Sequence, residues 1–170
     1  MAKFDLYVPK LKQVEGYGRY TNLPSDLGGP TMSGVTLTTF RQFYGNNKTV
    51  LDLRAMTYQQ WYNIFKTGYW DKAGGDKIQN QSVAELIVDF CVNSGVGMLK
   101  RIQSLVGAQP DGVIGPKSLA AINACQQDLL FNAVMAERRC RYNEIVVNKY
   151  GQKVNLQGWL NRLKTFEFKP

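Results

Sequence analysis

Between Gly16 and Gly34 the chain reads GYGRYTNLPSDLGGPTMSG, and no other stretch is as rich in glycine, proline and other turn-forming residues. Such a run specifies turns, with room for a short irregular β-hairpin. On both sides of it the apolar residues recur at helical spacing. Phe4, Tyr7, Leu11 and Val14 precede it; Leu37, Phe40, Phe43 and Tyr44, then Tyr58, Trp61, Tyr62 and Phe65, follow it. The expected fold class is therefore mainly α, an α+β chain with one small β region near the N-terminus. The first helix, bent or started near Pro9, ends at Gly16 and leaves Glu15 in its last turn.

The helical pattern continues to the C-terminus. SVAELIVDFCVNSG opens with Ser82 and Glu85 at capping-box spacing and stops at a glycine. MLKRIQSLVG is a second helix ending in glycine, and PDGVIGPKSL is a tight turn whose Pro116 starts a third. A long amphipathic pattern through Leu130, Val134, Glu137, Arg141 and Ile145 is followed by LQGWLNRLKTF. With 170 residues, no linker and no internal repeat, the expectation is a single domain, residues 1–170.

The chain contains no histidine. That removes Ser-His-Asp and Cys-His pairs, HExxH zinc sites and any imidazole base, and leaves acid–base chemistry to carboxylates, Tyr, Lys or Cys. The three cysteines, Cys91, Cys125 and Cys140, are widely spaced in apolar or helical patterns and read as buried free thiols. No metal site and no cofactor is expected. The net charge of +8 calls for an anionic partner. Scattered basic residues without a recognised motif argue against nucleic acid. No apolar run reaches about 18 residues, so no stable membrane insertion is expected. MAKFDLYVPKLKQ lacks the continuous apolar core of a Sec-type signal. The expectation is synthesis in the cytoplasm with action reached by another route, as a monomer.

Most of the thirteen carboxylates have structural roles. Glu85 belongs to a capping box, Asp111 to a DG turn, and Asp128 can cap the helix after it. Glu137 and Glu144 lie among Arg138, Arg139, Arg141 and Lys149, where pairing on a solvated face is the natural reading. Glu167 is almost at the C-terminus, and Asp5, Asp52, Asp71 and Asp76 sit near element ends or in polar loops, so Glu15, Asp26 and Asp89 remain. Glu15 follows an apolar stripe at the negative end of a helix dipole, and both burial and dipole favour the protonated form a general acid needs. The alternative is a solvated helix-end glutamate. Asp26 is either a turn residue bonding its own backbone or part of a site. Asp89 sits in an apolar helix with Asn93 one turn later on the same face, as a structural hydrogen-bonding post or a site residue.

EGYGRYTNLPSDLGGPTMSGVT resembles the catalytic region of the glycoside hydrolase family 108 muramidases, also labelled secretion activator proteins, whose pattern is EGGY, then N, then D-x-GG-x-T-x-x-G-[IV]-T. Glu15, Gly16, Asn22, Asp26, Gly28, Gly29, Thr31, Gly34 and Thr36 match it, and either Tyr17 or Tyr20 stands for the family's tyrosine. EGYGRYTN carries about two extra residues relative to that pattern. YWDKAGGDKI, VDFCVNSG, LKRIQSLVGAQPDGVIGPKSL and GWLNRL resemble the family's downstream peptidoglycan-binding-like half.

The resemblance implies a lysozyme-like fold, with residues 1–80 as the catalytic half and 81–170 as a helical, peptidoglycan-binding-like half. It implies hydrolysis of the β-1,4 bond between N-acetylmuramic acid and N-acetylglucosamine, with Glu15 as the acid, and peptidoglycan as the anionic partner. Asp26 and Thr31 fit by position as the second catalytic pair. A carboxyl separation of about 5–5.5 Å would allow retention, and one of roughly 6.5–9.5 Å inversion. Tyr17, Tyr20, Tyr69 and Trp70 are candidates for stacking on sugar faces, with core packing as the alternative for Trp70. The family's secretion label keeps open a non-catalytic wall-binding or secretion-assisting protein on the same fold.

Overall fold

The first helix, α1 (Phe4–Glu15), has the length that the apolar spacing predicts, and it runs through Pro9. Phe4, Tyr7 and Leu11 are buried on its apolar face. The computed structural model describes residues 1–22 and 29–170, with Tyr150 described by its backbone alone. The sequence-predicted β region is a three-stranded antiparallel meander of β1 (Tyr20–Thr21), β2 (Thr31–Met32) and β3 (Val35–Thr36). Tyr20 pairs with Met32, Thr21 with Thr31, and Met32 with Val35. The β2–β3 connection is the two-residue loop Ser33–Gly34, with φ of 53° and 78°. Positive φ at both central positions is the I′ geometry, whose twist matches the strands it joins.

Thr36 then caps α2 (Leu37–Tyr44) by accepting from the Thr39 N–H. Two capping boxes missing from the sequence reading start the next helices: Thr49 with Asp52 for α3 (Val50–Arg54), and Thr57 with Gln60 for α4 (Tyr58–Phe65). Asp52 is held below the usual carboxylate range, first by the Thr49 backbone N–H and then by its hydroxyl.

The chain divides into two compact units, residues 5–68 and residues 69–170 joined by 1–4. The boundary between these units falls within a π-helical turn, Lys66–Trp70. A boundary inside continuous helical backbone leaves no loop composition to mark it in the sequence.

The second unit is built on α5 (Gln81–Ser94), whose residues 86–91 are all buried. Its cap differs from the sequence reading. Asn80 is the N-cap and accepts from the Val83 N–H. Ser82 is buried and accepts from the Lys169 N–H, so tertiary packing has taken over the expected capping hydroxyl. Next come α6 (Leu99–Leu105), α7 (Pro116–Ala124), α8 (Gln127–Asn148) and α9 (Leu156–Leu163). Asp128 lies inside the first turn of α8, and Gln126 occupies the cap position without a side-chain cap bond.

The charge pattern on α8 also departs from a solvated face. Arg138 is fully buried and pairs with Asp89 at 2.8 Å, while Arg162 of α9 bonds the other oxygen of Asp89 at 2.7 Å. Glu137 and Glu144 pair with Arg101 of α6, and Arg141 adds to Glu144. The DGVIGP loop is held by buried Gln103, whose Nε2 donates to Asp111, the Val113 carbonyl and Ser118 while its Oε1 accepts from the Gly112 N–H. Of the cysteines, only Cys91 is fully buried; Cys125 is half-buried and Cys140 exposed. Among the described residues no helix is long and apolar enough to cross a membrane, and no cluster of three metal-ligating side chains occurs.

Candidate active site

Glu15 owes its position to the way α1 stops. Gly16 takes φ of 61°, its N–H donates to the Gln13 carbonyl at 3.3 Å, and the Tyr17 N–H reaches back to Lys12 at 2.9 Å. These two bonds form a Schellman motif with glycine at the left-handed position. The chain therefore turns sharply at the residue after the carboxylate, and Glu15 projects from a fixed helix end.

The two extra residues in EGYGRY are absorbed by the next turn. The Arg19 N–H donates to the Gly16 carbonyl at 2.9 Å, and Gly18 has φ of 88°, the conformation type II turns reserve for glycine at this position. The Gly18 N–H then donates to Ser33 Oγ at 2.9 Å. Ser33 ties the loop to the hairpin further: its N–H donates to the Arg19 carbonyl at 2.8 Å, and its own carbonyl accepts from the buried Trp61 Nε1 at 2.9 Å. Helix end, turn and hairpin are thereby held in one register.

That register brings Gly34 against Glu15. A methyl group at Gly34 would overlap Glu15 Oε2 and stand 2.8 Å from its Cβ and 2.9 Å from its Cδ. Only a glycine lets the hairpin backbone close on the carboxylate, and its positive φ makes the same demand. Together they line a polar, open pocket of about 390 Å³, whose described walls are Gln13, Val14, Glu15, Gly16, Arg19, Thr21, Thr31 and Gly34. Thr31 thus lines the same pocket as Glu15. Its hydroxyl donates to the Gly29 carbonyl at 2.9 Å, so toward the pocket it offers lone pairs. Asp26 lies outside the described residues.

The remaining sequence candidates are not among the described walls of this pocket. Tyr17 is 41% exposed and lies edge-on to Trp61 and Tyr58, with Lys12 Nζ 4.7 Å from its ring centre. Tyr20 is half-buried on β1, and the Arg54 guanidinium lies 5.0 Å from its ring centre. Neither is among the described pocket residues.

Tyr69, Trp70, Asp89 and Asn93 belong to the second unit. Trp70 is fully buried, donates its Nε1 to Asp76 at 2.7 Å and packs on Phe4 and Gly75, so it has no face for a sugar. Asp89 is also fully buried and committed to two arginines, which favours the structural-post reading over that of a site residue. Asn93 is half-buried with an enclosed Oδ1, and Tyr69 is half-buried. Sequence reasoning missed Arg19 and the contact role of Gly34. The sequence signal for the latter was the place of Gly34 in the T-x-x-G-[IV]-T pattern.

The first part of the chain, residues 9–95, matches the family model described as Glycosyl hydrolase 108, and residues 94–164 match the model described as Predicted Peptidoglycan domain. The solved structure of SagA from Brucella abortus superposes with a TM-score of 0.79 at 27% identity, covering 96% of this chain and 97% of that one. No curated protein matches the chain. The fold is lysozyme-like, mainly α with a small β region. A glutamate at a capped helix end beside a short β meander falls within the first match. With that match spanning half of the sequence, the chain belongs to the glycosyl hydrolase 108 family.

Proposed function

We propose that this chain is a lysozyme-type peptidoglycan hydrolase that cleaves the β-1,4 bond between N-acetylmuramic acid and N-acetylglucosamine, with Glu15 as general acid. The observation that carries the reading is the close approach of Gly34 to Glu15, which holds one carboxyl against the wall of an open, polar pocket. Cleaving a glycosidic bond needs a proton on the leaving oxygen and stabilisation of an oxocarbenium-like centre, and carboxylates supply both without histidine or metal. Glu15 protonates the leaving oxygen. Asp26 is the proposed second carboxylate. Thr31, its proton engaged with Gly29, accepts a hydrogen bond from the attacking water and orients it. Tyr17 and Tyr20 are proposed to meet sugar faces further along the glycan.

The net charge of +8 suits an anionic wall polymer. The proposed place of action is the wall or periplasm, reached after export or lysis, as a monomer. Digestion of purified peptidoglycan by the wild type and by Glu15→Gln, with fragments identified by mass, tests the assignment. Muropeptide release is expected from the wild type only. Equal release by both removes Glu15 as the acid. Binding without release by the wild type replaces hydrolysis with wall recognition or assistance to secretion.

A further inference from the structure

Among the described residues lining the Glu15 pocket, two are charged: Glu15 itself and Arg19. Arg19 is fixed in place by its backbone, with its N–H on the Gly16 carbonyl at 2.9 Å and its carbonyl on the Ser33 N–H at 2.8 Å. Its stem runs beside the helix cap, since a methyl group at Gly16 would stand 3.8 Å from both Arg19 Cβ and Arg19 Cδ. The side chain therefore leaves from the same helix end as Glu15. Five arginines elsewhere are committed: Arg101, Arg138, Arg141 and Arg162 to carboxylates, and Arg54 to the Tyr20 ring. No described carboxylate pairs with Arg19.

A guanidinium is a planar fork matched to a carboxylate, and it is permanently charged. On a residue that lines a pocket containing an acid, it discriminates between a sugar unit carrying a carboxylate and a neutral one. We infer that Arg19 is a specificity residue that recognises a carboxylate on the glycan next to the bond being cleaved. This rests on the hydrolase reading above. Two sources of such a group exist in a muramic-acid polymer: the lactyl carboxyl when free, and the carboxylates of the peptide attached to it. A polymer of N-acetylglucosamine alone has neither.

The test measures binding calorimetrically in a Glu15→Gln background, so that no ligand is consumed, with and without Arg19→Gln. Three oligosaccharides of equal length serve as ligands: neutral N-acetylglucosamine, a muramic-acid oligomer with free lactyl carboxyls, and the same oligomer carrying peptides. Arg19→Gln is expected to weaken binding of the carboxylated oligomers about tenfold and to leave the neutral one unchanged, with partial recovery in Arg19→Lys. The effect should shrink as salt rises. Loss on the free-carboxyl oligomer alone identifies the lactyl group as the contact. Loss on the peptide-bearing oligomer alone identifies the peptide.

Equal loss on all three ligands, or none on any, overturns the inference and leaves the Glu15 reading standing. Failure of every oligosaccharide to bind, together with no peptidoglycan digestion by the wild type, overturns both.

Discussion

Replacing Gly34 by alanine tests the geometry of the candidate site directly, because Gly18 provides a matched control. Both glycines have positive φ, 78° and 88°, so an alanine at either carries a backbone penalty of about 1–2 kcal/mol. At about 2–4 °C per kcal/mol for a chain of this size, each substitution should lower Tm by roughly 2–8 °C. The surroundings differ. A methyl at Gly18 meets nothing within 4 Å, whereas at Gly34 it stands 2.9 Å from Glu15 Cδ. Ordinary carbon contacts are about 3.5–4.0 Å, so the Glu15 carboxyl must retreat by roughly 0.6–1.1 Å. A misplacement of about 1 Å at a reacting group costs on the order of 100-fold in rate. Gly34→Ala should therefore release muropeptides about 100-fold more slowly per folded molecule than Gly18→Ala, and should also melt lower, because its methyl overlaps Glu15 Oε2 and crowds Glu15 Cβ. The assay is the initial rate of solubilisation of labelled peptidoglycan, with melting followed by circular dichroism. Equal rates for the two variants would refute the argument, because the acid would then be indifferent to the wall that holds it.

Thr31→Val removes the lone pairs assigned to the water and should slow hydrolysis about tenfold, with recovery in Thr31→Ser; unchanged rates in the valine variant would remove Thr31 from the reaction. Asp89→Asn leaves Arg138 and Arg162 without their buried carboxylate and should cost about 3–5 kcal/mol in a denaturant titration, with the rate per folded molecule intact. A rate loss at full stability would return Asp89 to a site. Burial pushes the Cys91 thiol from 9.0 up to about 12, so between those values the unfolded chain gives up a proton that the folded one keeps. Stability should fall as pH rises through that window, by up to about 1.4 kcal/mol per unit from this group, and Cys91→Ala should flatten the slope measured by chemical unfolding. In the native protein iodoacetamide should modify the exposed Cys140 and spare Cys91, as peptide mass mapping would show.

The periodicities of the sequence suffice for α1, its stop at Gly16 and most helices beyond Leu37, though not the short Val50–Arg54 helix, because each depends on residues within a turn or two of one another. The same local rules place Glu15 at a helix end next to a turn-rich stretch. Single-residue roles within that frame were less legible. Ser82 and Glu85 have the spacing of a capping box, yet Asn80 caps the helix because the Ser82 hydroxyl is used by the C-terminal segment, at Lys169. Trp70 and Asp89 have the residue types of a sugar site and are core, since burial follows from elements far apart in sequence.

Composition and local pattern by themselves therefore determined a mainly helical, histidine-free chain with one β patch and a helix-end glutamate just before it in sequence. Tertiary structure alone decided that Gly34, nineteen residues after Glu15, closes on that carboxyl, that Arg19 shares its pocket, and that Arg138 leaves the solvated face of its helix for Asp89. The physical reason is that helix and turn formation are set by neighbouring residues. The contact between a helix end and a hairpin turn is set by strand register and by hydrogen bonds such as those of Ser33, which link residues 18, 19 and 61.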